Sequence, residues 1–172
     1  MDIWGGTYLV GNQIHEKLRI FKISLSWGKI PSWRSLADPV VLSTLPHFLA
    51  LCFILNRARS SPLFAFYAAV IATSATLSIA WHAQHERKDW VFWADYALAM
   101  VWTITDFYVA FATRPSALSS VAVANTTVLV ANWLTDHWAR KGTLPYAQGH
   151  SAWHLLSCAK SMYVAYLLGQ GK

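Results

Sequence analysis

Long apolar runs separated by short polar connections make up most of the chain after residue 37. Five of these runs are long enough to cross a bilayer as a helix, which takes about 20 residues. Their approximate limits are 38–56, 62–83, 90–113, 117–138 and 146–169, and Pro46 and His47 interrupt the first. The connections are so short that consecutive helices must run antiparallel. The pattern predicts an all-α integral membrane protein, a bundle of about five transmembrane helices.

Residues 1–37 contain no such run. In the stretch QIHEKLRIFKISLSWGKI, four apolar residues share one helical face, which suits a helix lying in the membrane interface; they are Ile14, Leu18, Phe21 and Leu25. A flexible tail is the alternative. The acidic second residue and the lack of a basic start or a small-residue cleavage site argue against a cleavable signal peptide. We therefore expect an interfacial or flexible segment over 1–37 and a transmembrane domain over 38–172.

The composition agrees with a membrane protein. Hydrophobic residues make up 55% of the chain and charged residues 13%, whereas soluble domains have roughly 45–50% and about 25%. The net charge is +6, but Lys and Arg lie between the apolar runs and form no basic stripe, so no nucleic-acid partner is indicated. Cys52 and Cys158 are far apart within apolar runs, which excludes a CxxC site and gives no disulfide framework. The partners expected are the bilayer and a membrane lipid.

The positive charges predict an orientation. Because the helices alternate in direction, the starts of the first, third and fifth runs lie with the ends of the second and fourth on one side of the membrane, here called side A; the opposite side is side B. Side A carries nine Lys and Arg residues and side B four. On side A these are Lys17, Arg19, Lys22, Lys29, Arg34, Arg87, Lys88, Arg140 and Lys141; on side B they are Arg57, Arg59, Arg114 and Lys172. The positive-inside rule then places side A, with the amino terminus, in the cytosol.

Polar residues inside the apolar runs are the candidate site, because ionisable groups within a membrane are costly and usually face the bundle interior. His82 ends the second run with Ser78 one turn before it, Asp95 begins the third, and His150 and His154 begin the fifth. All of these ends are on side A. Residues four apart share a helical face, so these side chains can converge on one point.

Three histidines meeting at one depth predict a catalytic zinc site. Two His at i and i+4 with a third from a facing helix give three nitrogen ligands and leave one position open. Asp95 is the candidate acceptor of a proton from the attacking water, and Ser78 is the candidate assisting hydroxyl. His85 is an alternative ligand to His82, but it lies nearer the charged HERKD connection and is expected to face water. Each residue alone also has an ordinary explanation as an interhelical hydrogen-bonding group.

The order of these residues resembles the membrane hydrolase superfamily of alkaline ceramidases, adiponectin-receptor-like (progestin and adipoQ) receptors and TMEM-eight-like proteins. The matching residues are Ser78 and His82 in SIAWH, Asp95 in FWADYALAM, and His150 and His154 in GHSAWHLLS. The resemblance implies three His on zinc, Asp and Ser about the water, and hydrolysis of a lipid amide or ester bond. That family has seven helices, so this bundle would be a shortened form. Removing a pair of helices between Asp95 and the HxxxH motif keeps the site geometry but changes the substrate chamber.

Three other readings compete with a zinc hydrolase. A receptor-like or scaffold protein would keep a structural zinc without turnover. A haem protein would use His47, His82 or His154 as axial ligands, although adjacent-turn histidines would compete for one face of the iron. An ion or proton pathway would use Asp95, Asp106 and Lys160.

Asp106 and Lys160 are opposite charges deep in the third and fifth runs. Their depths overlap, so they can pair if the two helices pack obliquely. In the alternative, Lys160 extends toward side B and Asp106 bonds a neighbour.

Overall fold

The computed structural model describes residues 33–170, and within this range the chain is helical and contains no strand. Five helical segments follow one another: α1 (Pro39–Ala58), α2 (Pro62–Ala83), α3 (Trp90–Thr113), α4 (Leu118–Arg140) and α5 (Tyr146–Gly169). The predicted all-α membrane bundle is confirmed. The predicted limits of α2, α3 and α5 agree with the structure, and those of α1 and α4 differ by one or two residues. The predicted interfacial helix of the amino-terminal segment lies outside the described residues.

The first segment is irregular, as its proline and histidine predict. It consists of an α-helical turn (Pro39–Leu42), a 3₁₀ stretch (Leu45–Ala50) and a further α-helix (Leu51–Ala58). The Asp38 carboxylate caps its start by accepting a hydrogen bond from the Val40 amide, at 3.0 Å. Pro46 has no amide hydrogen to donate, and the chain tightens into 3₁₀ turns around it. This break points the His47 side chain into the bundle, where it is buried.

Four of the segments, α1 to α4, are long and apolar enough to cross a membrane by length and composition. The fifth, α5, has 24 residues, the same length as α3, but carries His150, His154 and Lys160. Its polar side chains lower its mean hydropathy. It packs against α1 and α4, so most of its polar face is turned toward protein. The chain is therefore a multi-pass membrane protein whose last helix is the polar one.

The helices pack in chain order into a closed ring, because α5 returns to contact α1. Two arginines secure the side B end of α5: Arg57 donates to the Leu168 carbonyl at 2.8 Å, and Arg114 donates to the Leu167 carbonyl at 2.7 Å. Carbonyls in the last turn of a helix have no partner within the helix and favour cations. These contacts hold the ends of α1, α3 and α5 together opposite the candidate site.

One buried carboxylate, that of Asp106, connects four helices in the interior of the bundle. Asp106 on α3 is fully buried and accepts hydrogen bonds from Tyr67 on α2, Asn125 on α4 and Lys160 on α5. Its Oδ2 lies 3.0 Å from Lys160 Nζ. The predicted ion pair is therefore present, and the alternative in which Lys160 extends away toward side B is wrong.

Candidate metal centre

Three histidine rings meet at the side A end of the bundle. His82 lies in the last turn of α2, and His150 and His154 lie one turn apart at the start of α5. His82 Nε2 lies 2.8 Å from His154 Nε2 and 3.4 Å from His150 Nε2. One ligand atom from each residue lies within 4.8 Å of the other two, so the three together can hold a metal ion. The predicted convergence of these histidines is confirmed.

The chemistry of the donor set fits a cation such as zinc. Tetrahedral zinc with metal–nitrogen bonds of about 2.0–2.1 Å would separate its ligand nitrogens by roughly 3.3 Å. The 3.4 Å separation of His82 and His150 agrees with this value, and the 2.8 Å pair needs only a small opening. His82 Nδ1 lies 3.2 Å from a carboxylate oxygen of Glu86, which only accepts, so Nδ1 carries the proton. In the neutral imidazole, the form that binds a metal, the Nε2 atom of His82 presents its lone pair to the other two rings.

Glu86 completes an outer layer around His82. Its Oε1 accepts from His82 Nδ1 at 3.2 Å and from Arg34 Nη1 at 3.1 Å. A carboxylate behind a ligand histidine fixes the tautomer and ring orientation and raises ligand basicity. Partial burial pushes the pKa of Glu86 upward, but the hydrogen bond to His82 and the nearby Arg34 guanidinium hold this pKa below its ordinary value.

A left-handed turn brings Glu86 back to the histidine. His85 and Glu86 have φ angles of 59° and 58°, a conformation unusual for residues other than glycine. The Glu86 amide donates to the Trp81 carbonyl at 3.1 Å and the His85 amide to the His82 carbonyl at 3.1 Å. The chain thus reverses directly after α2. Strained backbone of this kind persists where surrounding contacts hold it and is frequent at functional sites.

The structure also locates the two predicted assisting residues. Asp95, on the second turn of α3, is buried, and Ser78 lies within hydrogen-bonding reach of its carboxylate. Both side chains line the same cavity as His150 and His154. His82 is fully buried behind the other two rings. The carboxylate and hydroxyl therefore face the space beside the histidine cluster.

That cavity has a volume of about 440 Å³ and is lined by residues of all five helical segments. This size is within the range of small-molecule sites. Its polar lining residues include His47, Ser74, Ser157 and Lys160. Its apolar lining residues include Ala75, Ala99, Met100, Ile104, Val128 and Leu129. The lining would therefore suit an amphiphilic molecule.

Not every histidine joins the cluster. His85 is exposed and contacts Arg34, in keeping with its expected position at the charged connection. His47 lies deeper, with its Nδ1 at 2.9 Å from the Thr44 carbonyl and its Nε2 at 3.2 Å from Ser157 Oγ. Both nitrogens of His47 thus contact protein groups. Asp89 accepts from the Val91 amide at 2.9 Å as the amino-terminal cap of α3.

The sequence alone does not predict two contacts of the site. Glu86 lies four residues after His82, but α2 ends at Ala83, so a helical i+4 spacing does not predict that they meet. The sequence names His47 as a candidate haem ligand and does not pair it with Ser157.

No protein-family model, curated protein or solved structure matches this chain.

Proposed function

We propose that this chain is a membrane-embedded, zinc-dependent hydrolase of a lipid amide or ester bond, similar in its site to alkaline ceramidases. The observation that carries the proposal is the convergence of three histidine nitrogens beside a cavity that Asp95 also lines. Zinc bound there would lower the pKa of a water to about 7 and polarise a carbonyl oxygen.

The chain's own residues have distinct roles in this proposal. His82, His150 and His154 hold the metal, and Glu86 fixes the orientation of His82. The Asp95 carboxylate takes a proton from the attacking water and returns it to the leaving amine or alcohol. Ser78 holds that carboxylate in position through its hydroxyl group.

The open side of the site favours catalysis over a purely structural zinc. Structural zinc sites are closed by four protein ligands, whereas catalytic sites keep one position for water or substrate. Here three histidines form the group, and two of them, His150 and His154, border the cavity. The buried position of the site between membrane helices favours a lipid as the substrate.

The test has two measurements on the purified full chain. Metal analysis should find zinc in the wild type and its loss in His154→Ala. Hydrolysis of an N-acyl sphingoid amide should require that zinc, and hydrolysis of an acyl ester should decrease when the zinc is lost; both compounds carry a fluorescent acyl chain and are presented in mixed micelles. Zinc without turnover of either compound would favour the receptor-like or scaffold reading, and absence of zinc in the wild type would overturn the metal site itself.

The remaining proposal concerns location. The basic residues favour a cytosolic position for side A, and hence for the histidine cluster.

A further inference from the structure

Ser157 and His47 are in hydrogen-bonding contact in the deeper part of the cavity. His47 extends from the 3₁₀ stretch of α1 and Ser157 from the middle of α5, and both line the cavity. The His47 Nε2 atom lies 3.2 Å from Ser157 Oγ. A hydroxyl and an imidazole at this distance form the pair that activates a serine nucleophile.

The backbone fixes the tautomer that such a pair requires. His47 Nδ1 lies 2.9 Å from the Thr44 carbonyl oxygen, which only accepts hydrogen bonds. Nδ1 must therefore carry the proton, and Nε2 presents a lone pair to the hydroxyl of Ser157. The Thr44 carbonyl thus occupies the place that a carboxylate takes in a Ser-His-Asp triad, where the third group orients the imidazole.

The thiol of Cys158 contacts the Nδ1 side of the His47 ring. Its Sγ lies 2.9 Å from His47 Nδ1 and donates to the Ser43 carbonyl at 3.4 Å. This thiol is 1% exposed and is not among the residues that line the cavity. The hydroxyl of Ser157, and not the thiol of Cys158, is therefore the group that a molecule in the cavity would meet.

The pair borders the histidine cluster but is not part of it. The rings of His47 and His154 stand edge to face with their centroids 6.2 Å apart, and His47 is not one of the three residues that can hold the metal. Lys160, one turn beyond Ser157 on α5, also lines the cavity, and its Nζ is held by Asp106 Oδ2 at 3.0 Å.

We propose that Ser157 is a metal-independent nucleophile that accepts an acyl group from an ester, with His47 as its general base. Ser157 Oγ attacks the carbonyl carbon as its proton passes to His47 Nε2. The bond from that carbon to the leaving oxygen breaks, and the departing alcohol takes the proton, so that Ser157 holds the acyl group as an ester. A water then attacks this ester while His47 takes one of its protons and returns it to Ser157 Oγ, which releases a carboxylic acid.

The test uses a fluorescent alkyl fluorophosphonate, which modifies activated serines with release of fluoride. The full chain in detergent should be labelled at Ser157, as mapped by peptide mass spectrometry. His47→Asn keeps an amide that can donate to the Thr44 carbonyl but provides no base, so its labelling rate should fall by a factor of about 100 or more. Its elution profile and circular dichroism establish that it is folded.

Two controls separate this pair from its surroundings. Ser161→Ala changes the neighbouring buried serine, whose hydroxyl donates to the Ser157 carbonyl at 2.8 Å, and should be labelled like the wild type. Wild-type protein stripped of metal with a chelator should also be labelled at the rate of the untreated protein. An unmodified Ser157 in the wild type, or equal labelling rates in wild type and folded His47→Asn, would overturn the proposal. Neither result depends on zinc content, so the metal hypothesis stands or fails separately.

Discussion

Asp106 and Lys160 form an ion pair inside the bundle, with Oδ2 and Nζ 3.0 Å apart. The carboxylate is fully buried, and the Lys160 side chain is 9% exposed. Tyr67 and Asn125 donate to the same carboxylate, so its lone pairs are well satisfied. These four residues come from α2, α3, α4 and α5. Their shared hydrogen bonds therefore fix the relative positions of four helices.

Removing one partner of this pair should be strongly destabilising. Asp106→Asn or Lys160→Met alone leaves one buried charge without its counter-ion, which costs about 3–5 kcal/mol in comparable buried pairs. The double variant should recover part of this loss, because neither charge then remains. Unfolding in detergent as a function of denaturant measures the four members of the cycle. Strictly additive losses would contradict a direct interaction between the two side chains.

Zinc content should follow the three clustered histidines and no others. Wild-type protein should bind about one zinc per chain, and His82→Ala, His150→Ala and His154→Ala should each lose it, because two nitrogens alone hold zinc weakly. His137→Ala is the matched control: His137 lies on α4, stacks on Trp133 and is outside the cluster. Inductively coupled plasma mass spectrometry of the purified variants gives the measurement. Full zinc retention in His154→Ala would exclude the proposed ligand set.

Asp95→Asn should separate metal binding from turnover. The amide is nearly the same size as the carboxylate and is not one of the three ligands, so zinc content should stay near the wild-type level. Hydrolysis of the fluorescent amide should fall by a factor of about 100 or more, because the acceptor of the proton is lost. Asp136→Asn, an exposed residue paired with Arg140 on α4, should retain turnover. Unchanged hydrolysis in Asp95→Asn would assign the proton transfer to another group.

The sequence predicts the helices and the histidine cluster because both depend on simple periodicities. Run length sets the bounds of α2, α3 and α5, and alternation of direction brings His82, His150 and His154 to one side. Counting depth along two helices places Asp106 and Lys160 at overlapping depths, which permits the ion pair but does not distinguish it from the alternative in which Lys160 extends toward side B.

What the sequence does not predict depends on departures from regular helix. Glu86 reaches His82 only because two residues after α2 adopt positive φ angles, and neither is the glycine that usually marks such a turn. His47 meets Ser157 only because α1 changes to 3₁₀ geometry at Pro46, which alters the direction of the side chains that follow. The periodicity of hydrophobic residues does not predict either of these departures from regular helix.

Substituting Glu86 should weaken the metal site without removing any ligand. Loss of a carboxylate behind a ligand histidine typically lowers metal affinity by about 10–100-fold. Glu86→Gln keeps an acceptor oxygen for His82 Nδ1 and should lie near the lower end, whereas Glu86→Ala should lie near the upper end. Zinc affinity measured by competition with a chelator tests the order. Asp38→Asn is the control, because Asp38 contacts the same arginine, Arg34, only at 4.0 Å. Equal affinities in wild type and Glu86→Ala would show that Glu86 does not act on the metal site.

The orientation of the bundle can be tested with single cysteines in its connections. Ser116, in the turn before α4, lies on side B, and Thr143, in the connection before α5, lies on side A; both are exposed. Thr143 is preferable to Gly142, whose φ of 69° would strain any side chain placed there. In a Cys52→Ser background, a membrane-impermeant thiol reagent applied to intact cells should label Ser116→Cys and leave Thr143→Cys unlabelled until the cells are opened.

The physical reason for this expectation is the distribution of positive charge. Among the described residues, the Lys and Arg residues at the helix ends and in the connections are distributed unequally. Side A has Arg34, Arg87, Lys88, Arg140 and Lys141, and side B has Arg57, Arg59 and Arg114. Two of the side B arginines, Arg57 and Arg114, are occupied by carbonyl groups at the end of α5, so their position is also explained by packing. Four of these five side A residues lie at 87–88 and 140–141, in the connections after α2 and α4, where basic residues favour the cytosolic side. Labelling of Thr143→Cys but not Ser116→Cys in intact cells would reverse the orientation and place the histidine cluster, with any lipid it hydrolyses, at the external or lumenal face.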